Sequence, residues 1–297
     1  MKTIAILTPT YNRGYILHRL FSSLLTQTNF DFKWYIIDDG SNDNTEEISR
    51  NFINNKFEIV YIKKVNGGKH TALNTGIQII REELTFIVDS DDYLQTNAVE
   101  TIVNDWVRYK DNVDIAGLCY YKIYENGSVV GQEYPSSIAI IDTYTNLRVN
   151  KNIQGDKAEV YRTEILRKYP FPEFAGEKFL SEAIVWNAIS KDGLNLVFIG
   201  KGIYICEYLA DGLSAAGRKY RLQNPCGTME HARSFLYKAV KFKFRIKYML
   251  LYTAARPFAK ISIKKAWQKL EKYKISYLIC LLPGFILSSY WKIKYKL

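Results

Sequence analysis

The chain has 297 residues, 47% of them hydrophobic and 24% charged, with a formal net charge of +11 at pH 7. That length accommodates one catalytic domain of about 210–220 residues plus an appendage, and no internal repeat or low-complexity linker divides it. Four scattered cysteines, Cys119, Cys206, Cys226 and Cys280, exclude a disulfide framework and a metal-binding spacing, which suits a reducing compartment.

Residues 3–7 read as a strand, short and apolar. A core strand this early leaves no room for a signal peptide, so the protein is expected to stay in the cytoplasm. The loop Thr8-Pro9-Thr10-Tyr11-Asn12-Arg13 follows at once. A second strand over 34–37 runs into Asp38-Asp39-Gly40-Ser41-Asn42-Asp43-Asn44. A third, over 58–62, precedes Asn66-Gly67-Gly68-Lys69-His70 and a helical pattern over 72–80. Strands alternating with helical segments predict βαβ units and a parallel sheet. Right-handed connections gather the loops at the strands' carboxyl ends on one rim, where open α/β sheets place their ligands. Simpler duties exist for these residues: Asp39-Gly40 and Gly67-Gly68 form turns readily, and Asp43 or Asn44 can cap a helix starting at Thr45.

The fourth strand, 84–88, ends in Asp89-Ser90-Asp91-Asp92. On extended backbone residues i and i+2 point the same way, so Asp89 and Asp91 are expected to converge. Hard divalent cations take oxygen ligands, often one or two carboxylates together with substrate phosphates. The cluster therefore predicts a seat for a metal-bound diphosphate. The competing reading is an N-cap, with Asp91 or Asp92 opening a helix near Gln95.

With these four loops in this order and spacing, and with Asp43, Thr45, Ala72 and Asn74 beside them, the chain resembles the inverting, family-2-type glycosyltransferases of bacterial cell-surface polysaccharide synthesis. The likeness is specific over the first hundred residues and looser to about Ser214. It implies the α/β fold called GT-A, a Rossmann-like mixed sheet with helices on both faces, followed by a helical, basic C-terminal region. Residues 1–215 are then the catalytic domain, with a nucleotide-binding half (1–115) and an acceptor half (116–215). Carried over residue by residue, the resemblance implies that Pro9 and Tyr11 line the base pocket, with Arg13 nearby. Asp39 accepts a hydrogen bond from the base, which favours uracil because its N3–H is a donor. Asp89 contacts the ribose, Asp91 binds the Mn²⁺ or Mg²⁺ that bridges the diphosphate, and Lys69 stands where it can meet phosphate or base.

In this family an acid–acid pair opens a helix in the second half, with an aromatic residue one turn on. Here the helical stretch 183–189 follows Ser181-Glu182, and Trp186 supplies the aromatic; Ser181 replaces the first acid. An inverting transfer needs a carboxylate to take the acceptor's proton. Glu182 is the expected base, with Glu177 in reserve. Many relatives complete the metal shell with a histidine in the segment 208–214. This chain has only His18, His70 and His231, which leaves Asp211 as a possible substitute. Gly155-Asp156-Lys157-Ala158 resembles a loop beside the acceptor.

Charge divides the chain. Residues 1–200 hold 21 Lys/Arg against 26 Asp/Glu, and residues 201–297 hold 20 against 4. The basic tail interleaves aromatic residues, alternates strictly over 241–248 in a way that allows a strand, and ends in seventeen uncharged residues, 275–291, bracketed by Lys274 and Lys292. A spanning helix needs about 20 apolar residues, and Pro283-Gly284 interrupts this one, so an interfacial element with Tyr290-Trp291 at headgroup level is expected. Polybasic segments bind the anionic cytoplasmic leaflet. The alternatives are packing on the catalytic domain or on a second subunit as a homo-oligomer; no recognition motif supports nucleic acid. The expected function is metal-dependent, inverting transfer from a UDP-sugar to a hydroxyl of a glycan, lipid-linked, by an enzyme peripheral on the inner face of the plasma membrane. The competing functions are a sugar nucleotidyltransferase, which usually opens with a glycine-rich loop absent here, and a catalytically silent nucleotide-sugar binder.

Overall fold

The computed structural model describes residues 2–207, 217–270 and 272–296. In chain order the first half runs β1 (Ile4–Thr10), α1 (Leu17–Leu25), β2 (Phe32–Asp38), α2 (Thr45–Arg50), β3 (Glu58–Lys63), α3 (Lys69–Ile79), β4 (Leu84–Ile87), β5 (Tyr93–Leu94) and α4 (Ala98–Trp106). The second half of the sheet-bearing region follows with β6 (Ile115–Ile123), β7 (Ile140–Asp142), a π-helical turn (Thr145–Asn150), β8 (Lys157–Arg162), α5 (Thr163–Lys168), α6 (Ala183–Lys191) and β9 (Asn195–Ile205). The basic region is helical: α7 (Gly217–Gln223), α8 (Pro225–Ser234), α9 (Phe242–Ala255), α10 (Ile263–Gln268) and α11 (Lys274–Tyr295).

The described strands form one sheet in the order β3-β2-β1-β4-β8-β6-β9-β5, with β7 paired to β9. Strands β3, β2, β1 and β4 are mutually parallel, so their carboxyl ends share a rim as the sequence predicts. The sheet turns mixed where β8 enters antiparallel between β4 and β6. Alternation along each strand supplies two cores. Ile4, Ile6, Trp34 and Ile36 meet α1 and α4 on one face, while Ala5, Leu7, Tyr35 and Ile37 meet α3, α5 and α6 on the other. Both faces are covered, as in any sheet whose parallel strands read as continuous apolar runs.

Two expectations for the basic region need correction. Residues 242–255 are helical, not extended, because α9 buries Met249, Tyr252, Thr253 and Ala255 at helical spacing against α8 and α11. Pro283-Gly284 does not interrupt the apolar segment: α11 continues through both. The glycine is needed for close approach, since a Cβ there would stand 2.2 Å from Thr253 Oγ1 of α9. One face of α11 packs inward through Tyr277, Cys280, Gly284, Ser288 and Trp291. The opposite face exposes Ile275, Ile279, Leu282, Ile286 and Ile293.

The region is also bonded to residues 149–183. Asn150 Nδ2 donates to the Ala239 carbonyl (2.7 Å) and its Oδ1 accepts from Lys241 N (2.8 Å). Asn224 Oδ1 accepts from the backbone of Lys178 and Phe179, and Phe235 and Val240 pack with Val149 and Ala183. The expected boundary at 215/216 falls outside the described residues.

Candidate active site

The rim begins with Pro9, which sits buried inside β1 opposite Ile37. Proline cannot donate to a ladder and is rare in central strands. Here the ladder with β4 ends at Leu7–Ile87, so the missing N–H faces the point where β4 has already given way to the acid cluster. Beyond β1, Asn12 takes a left-handed backbone (φ 52°). Its N–H donates to Ser41 Oγ (2.8 Å) while its Oδ1 accepts from Asn42 N (2.8 Å). Arg13 N donates to Thr45 Oγ1 and Gly14 N to Asp43 Oδ2. Asp43 thus stitches the first loop to the second, while Tyr11 is left half exposed above the rim.

Asp39 is nearly inaccessible (3% exposed). Its carboxylate accepts from Gly67 N (2.9 Å), Gly68 N (2.6 Å), Asn66 Nδ2 (3.1 Å) and Lys64 Nζ (2.9 Å). The residue therefore fixes the glycine loop that opens α3, and a base N–H would be a further donor to oxygens already engaged. The turn reading of Asp39-Gly40 and Gly67-Gly68 holds, with the Asp39 carboxylate joining the two turns.

The acid cluster is a turn, with Asp92 N donating to the Asp89 carbonyl, and not the extended run that would aim Asp89 and Asp91 alike. Neither acid caps a helix: β5 intervenes, and α4 begins at Ala98 with Asn97 as its cap residue. Tyr204 of β9 pins the turn from below, its hydroxyl donating to Asp92 Oδ2 (2.7 Å) and accepting from Asp89 N (2.9 Å). Lys122 of β6, lying over the Tyr204 ring, reaches Asp89 (3.5 Å) and Asp92 (3.4 Å). Lys69, at the first position of α3, reaches Asp89 Oδ1 at 2.5 Å and Glu182 Oε1 at 2.7 Å. Burial would raise Asp89, but Lys69 and Lys122 hold its carboxyl down to about 2. Burial pushes Asp92 up to about 6 against the pull of Lys122. Asp91 is different: burial and then the Asp89 charge raise it, and among the described residues no cation is bonded to it.

That difference bears on a metal. Among the described residues no three His, Cys, Asp or Glu side chains form a ready ligand set. Asp211 lies outside the described residues. Asp89 and Asp92 are already neutralised by lysines, leaving Asp91 as a desolvated carboxylate repelled by its neighbour. A hard cation whose remaining ligands are diphosphate oxygens and water fits that donor set.

Glu182 occupies the N-cap position of α6, yet its side chain turns to Lys69 and makes no capping bond. Trp186 is core, stacked on Tyr161 at 4.3 Å. Glu177, the reserve base, is committed elsewhere: its two oxygens accept from Cys226 N and Gly227 N (2.7 Å each), closing the N-terminus of α8. In the segment expected beside the acceptor, Lys157 is buried and donates to the Val130 carbonyl (2.9 Å); burial and then Arg148 bring its ammonium down to about 8. Glu159 on β8 was not apparent from sequence. Burial raises its carboxyl to about 7, against the pull of Arg148. Lys122 and Tyr204 also escaped; the one available signal was a lone lysine in the apolar run 115–123.

Comparison with known proteins places this arrangement. Residues 5–169 match the model of glycosyl transferase family 2. The poly(ribitol-phosphate) β-N-acetylglucosaminyltransferase TarP of Staphylococcus aureus is 37% identical over 142 residues, 43% of either chain. The chain spans less than half the length of the curated relatives GlyA and TarP. Among solved structures, S. aureus TarS 1–349 in complex with UDP-GlcNAc superposes with a TM-score of 0.66 at 20% identity, covering 97% of this chain and 82% of that one. The mannosyltransferase PcManGT of Pyrobaculum calidifontis, in complex with GDP-Man and Mn²⁺, gives 0.61 at 15% identity over 98% of this chain and 87% of that one. These two likenesses show the GT-A fold. Because the family match runs unbroken through all four carboxyl-edge loops and covers more than half of the chain, the protein belongs to glycosyl transferase family 2.

Proposed function

We propose that the protein is a metal-dependent, inverting glycosyltransferase that moves one sugar from a UDP-sugar to a hydroxyl of a lipid-linked glycan in cell-surface polysaccharide synthesis. The observation that carries this reading is the bridge made by Lys69, which ties Asp89 of the acid turn to Glu182 at the start of α6. An acid from the acceptor half thereby stands within one lysine of the turn that would hold the diphosphate.

In this reading Tyr11 and Pro9 flank the uracil, with Arg13 beside them and Asp39 receiving N3–H, and Asp89 meets the ribose. A divalent ion, Mn²⁺ or Mg²⁺, on Asp91 supplies charge stabilisation to the leaving diphosphate. Glu182 Oε accepts the proton of the acceptor hydroxyl as that oxygen bonds to the anomeric carbon. The bond from that carbon to the diphosphate oxygen breaks with its electron pair, releasing UDP and inverting the centre. Lys69 holds the base in place through its contact with Glu182 Oε1. The UDP-GlcNAc and Mn²⁺ in the complexes of TarS and PcManGT support the donor and metal classes.

The exposed apolar face of α11 and the lysines at its ends support attachment to the inner face of the plasma membrane. The helix is long and apolar enough to cross a membrane by length and composition alone. Leu282→Glu with Ile286→Glu, which changes only the outward face, should abolish co-sedimentation with phosphatidylglycerol vesicles. Truncation is unsuitable because α8 and the 235–240 turn cover Ala183 and Val149. A screen of UDP-, GDP- and dTDP-sugars with Mn²⁺ tests the reaction: UDP release is expected. Tight UDP binding without release from any donor would instead make this a silent nucleotide-sugar binder.

A further inference from the structure

Beside the segment that carries Glu182 lies a second concavity, a cleft of about 190 Å³ between residues 179–181 and helices α7, α8, α9 and α11. At about 30 Å³ per water it has room for a phosphate group and several carbons. Phe179 and Ser181 line it, whereas Leu180 points into the core and Glu182 to Lys69. The cleft and the candidate base are thus opposite sides of one backbone, with Ser181 and Glu182 consecutive.

Its charge is unbalanced. Arg218 lies 4.7 Å over the Trp291 ring and Arg221 is 5.9 Å from the Phe179 ring. Among the described residues neither guanidinium has an acidic partner. His231 adds a buried Nδ1 with no hydrogen-bond partner among the described residues. Leu222, Leu251 and Trp291 make the remaining wall apolar. Two exposed guanidiniums near aromatic rings, with no side-chain hydrogen bond from either among the described residues and an apolar wall adjoining, match a phosphate ester whose organic part is greasy or sugar-like. A neutral sugar offers neither guanidinium a charge to pair with.

We infer that this cleft binds a phosphate group carried by the acceptor, so that the acceptor is a phosphorylated or phosphate-linked glycan anchored by Arg218 and Arg221 next to Glu182. The inference rests on the glycosyltransferase reading for its word acceptor; the anion site itself does not. Calorimetric titration of the full chain, saturated with UDP and Mn²⁺ so that the donor site is filled, compares octyl phosphate, octyl glucoside and inorganic phosphate. Octyl phosphate should bind at least tenfold more tightly than the other two. Arg218→Gln and Arg221→Gln should each weaken it at least tenfold, with UDP affinity and the melting temperature unchanged. Undiminished octyl phosphate binding in both variants, or inorganic phosphate binding equally well, overturns the proposal. Phosphatidylglycerol vesicles form the last arm. If both variants lose vesicle binding in step with octyl phosphate, the site reads a lipid headgroup and the acceptor assignment is wrong; retained vesicle binding supports it. Loss of UDP binding by the parent would sink the donor reading while leaving the octyl phosphate comparison, run without UDP, intact.

Discussion

Gly68→Ala tests whether the two halves of the site are mechanically joined. Gly68 has φ 96° and ψ 159°, a region almost reserved for glycine, where a side chain costs roughly 1–3 kcal/mol. The added Cβ would also stand 2.1 Å from the Lys178 carbonyl oxygen and 2.6 Å from its carbon. These are backbone atoms that no rotamer change can remove. Restoring ordinary contact requires the 177–182 segment or the opening of α3 to retreat by about 1.3 Å. That motion draws Glu182 from Lys69 and loosens the Gly68 N–H from Asp39. Strain and lost bonds together should destabilise by roughly 3 kcal/mol, a fall of about 5–10 °C in melting temperature for a chain of this size. A misplacement of about 1 Å typically reduces turnover on the order of 100-fold. Differential scanning fluorimetry with and without UDP, and UDP release from the best donor, read both effects. A variant with parental melting temperature and turnover would refute the idea that the glycine loop and the Glu182 segment are held in register by this contact.

Asp91→Asn should melt at or above the parent temperature, because it removes a carboxylate repelled by Asp89, yet lose at least tenfold in Mn²⁺-dependent UDP affinity; metal-independent turnover in EDTA would contradict the metal assignment. Glu182→Gln should keep the UDP affinity and lower transfer by about 10²–10⁴, whereas matching losses in both would mark it as a donor-site residue. Glu177→Ala should act on stability, costing roughly 1–3 kcal/mol by stranding two N–H groups of α8, with turnover near parental at low temperature; a large loss of transfer in a well-folded variant would return Glu177 to candidacy as the base. His231 is partly buried with its Nδ1 enclosed; desolvation, then the Arg221 and Lys247 charges, push its pKa down to about 3, so its contribution is complete above about pH 6.5 and drains as pH falls toward 3. His231→Phe should therefore lose less stability than the parent between pH 7 and pH 5, by about 2 kcal/mol at 1.4 kcal/mol per pH unit; superimposable pH profiles would show that the imidazole is not buried uncharged.

The parallel half of the sheet was legible because its strands are continuous apolar runs ending in turn-forming and acidic residues. The observed β3 and β4 differ from the sequence reading by a single residue at one end. The antiparallel insertion of β8 was not, since pairing order is set by partners far along the chain. The same holds inside the site. Asp39, Asp89 and Glu182 announce themselves by local motif, whereas Lys122 and Tyr204 matter only through contacts that span 30 and 112 residues. Alternation over 241–248 misled because helix α9 carries apolar residues around much of its surface, so a two-residue period coexists with a helical one. Pro283-Gly284 misled for another reason: a breaker in isolation is a packing notch when a neighbouring helix crosses there.

Tyr204 has a consequence for the order in which the molecule comes into being. The acid turn that ends β4 is pinned by a hydroxyl from a strand more than a hundred residues later in the chain. A nascent polypeptide emerging from the ribosome carries all four rim loops long before it carries β9. Until that strand docks, the acid turn lacks the hydroxyl beneath it and Lys122 lacks the ring it rests on. The full set of contacts on the acid turn is thus a product of the completed sheet. A fragment ending near residue 115 would contain all four rim loops and the Lys69–Asp89 pair, yet leave Asp92 without its tyrosine hydroxyl and its lysine.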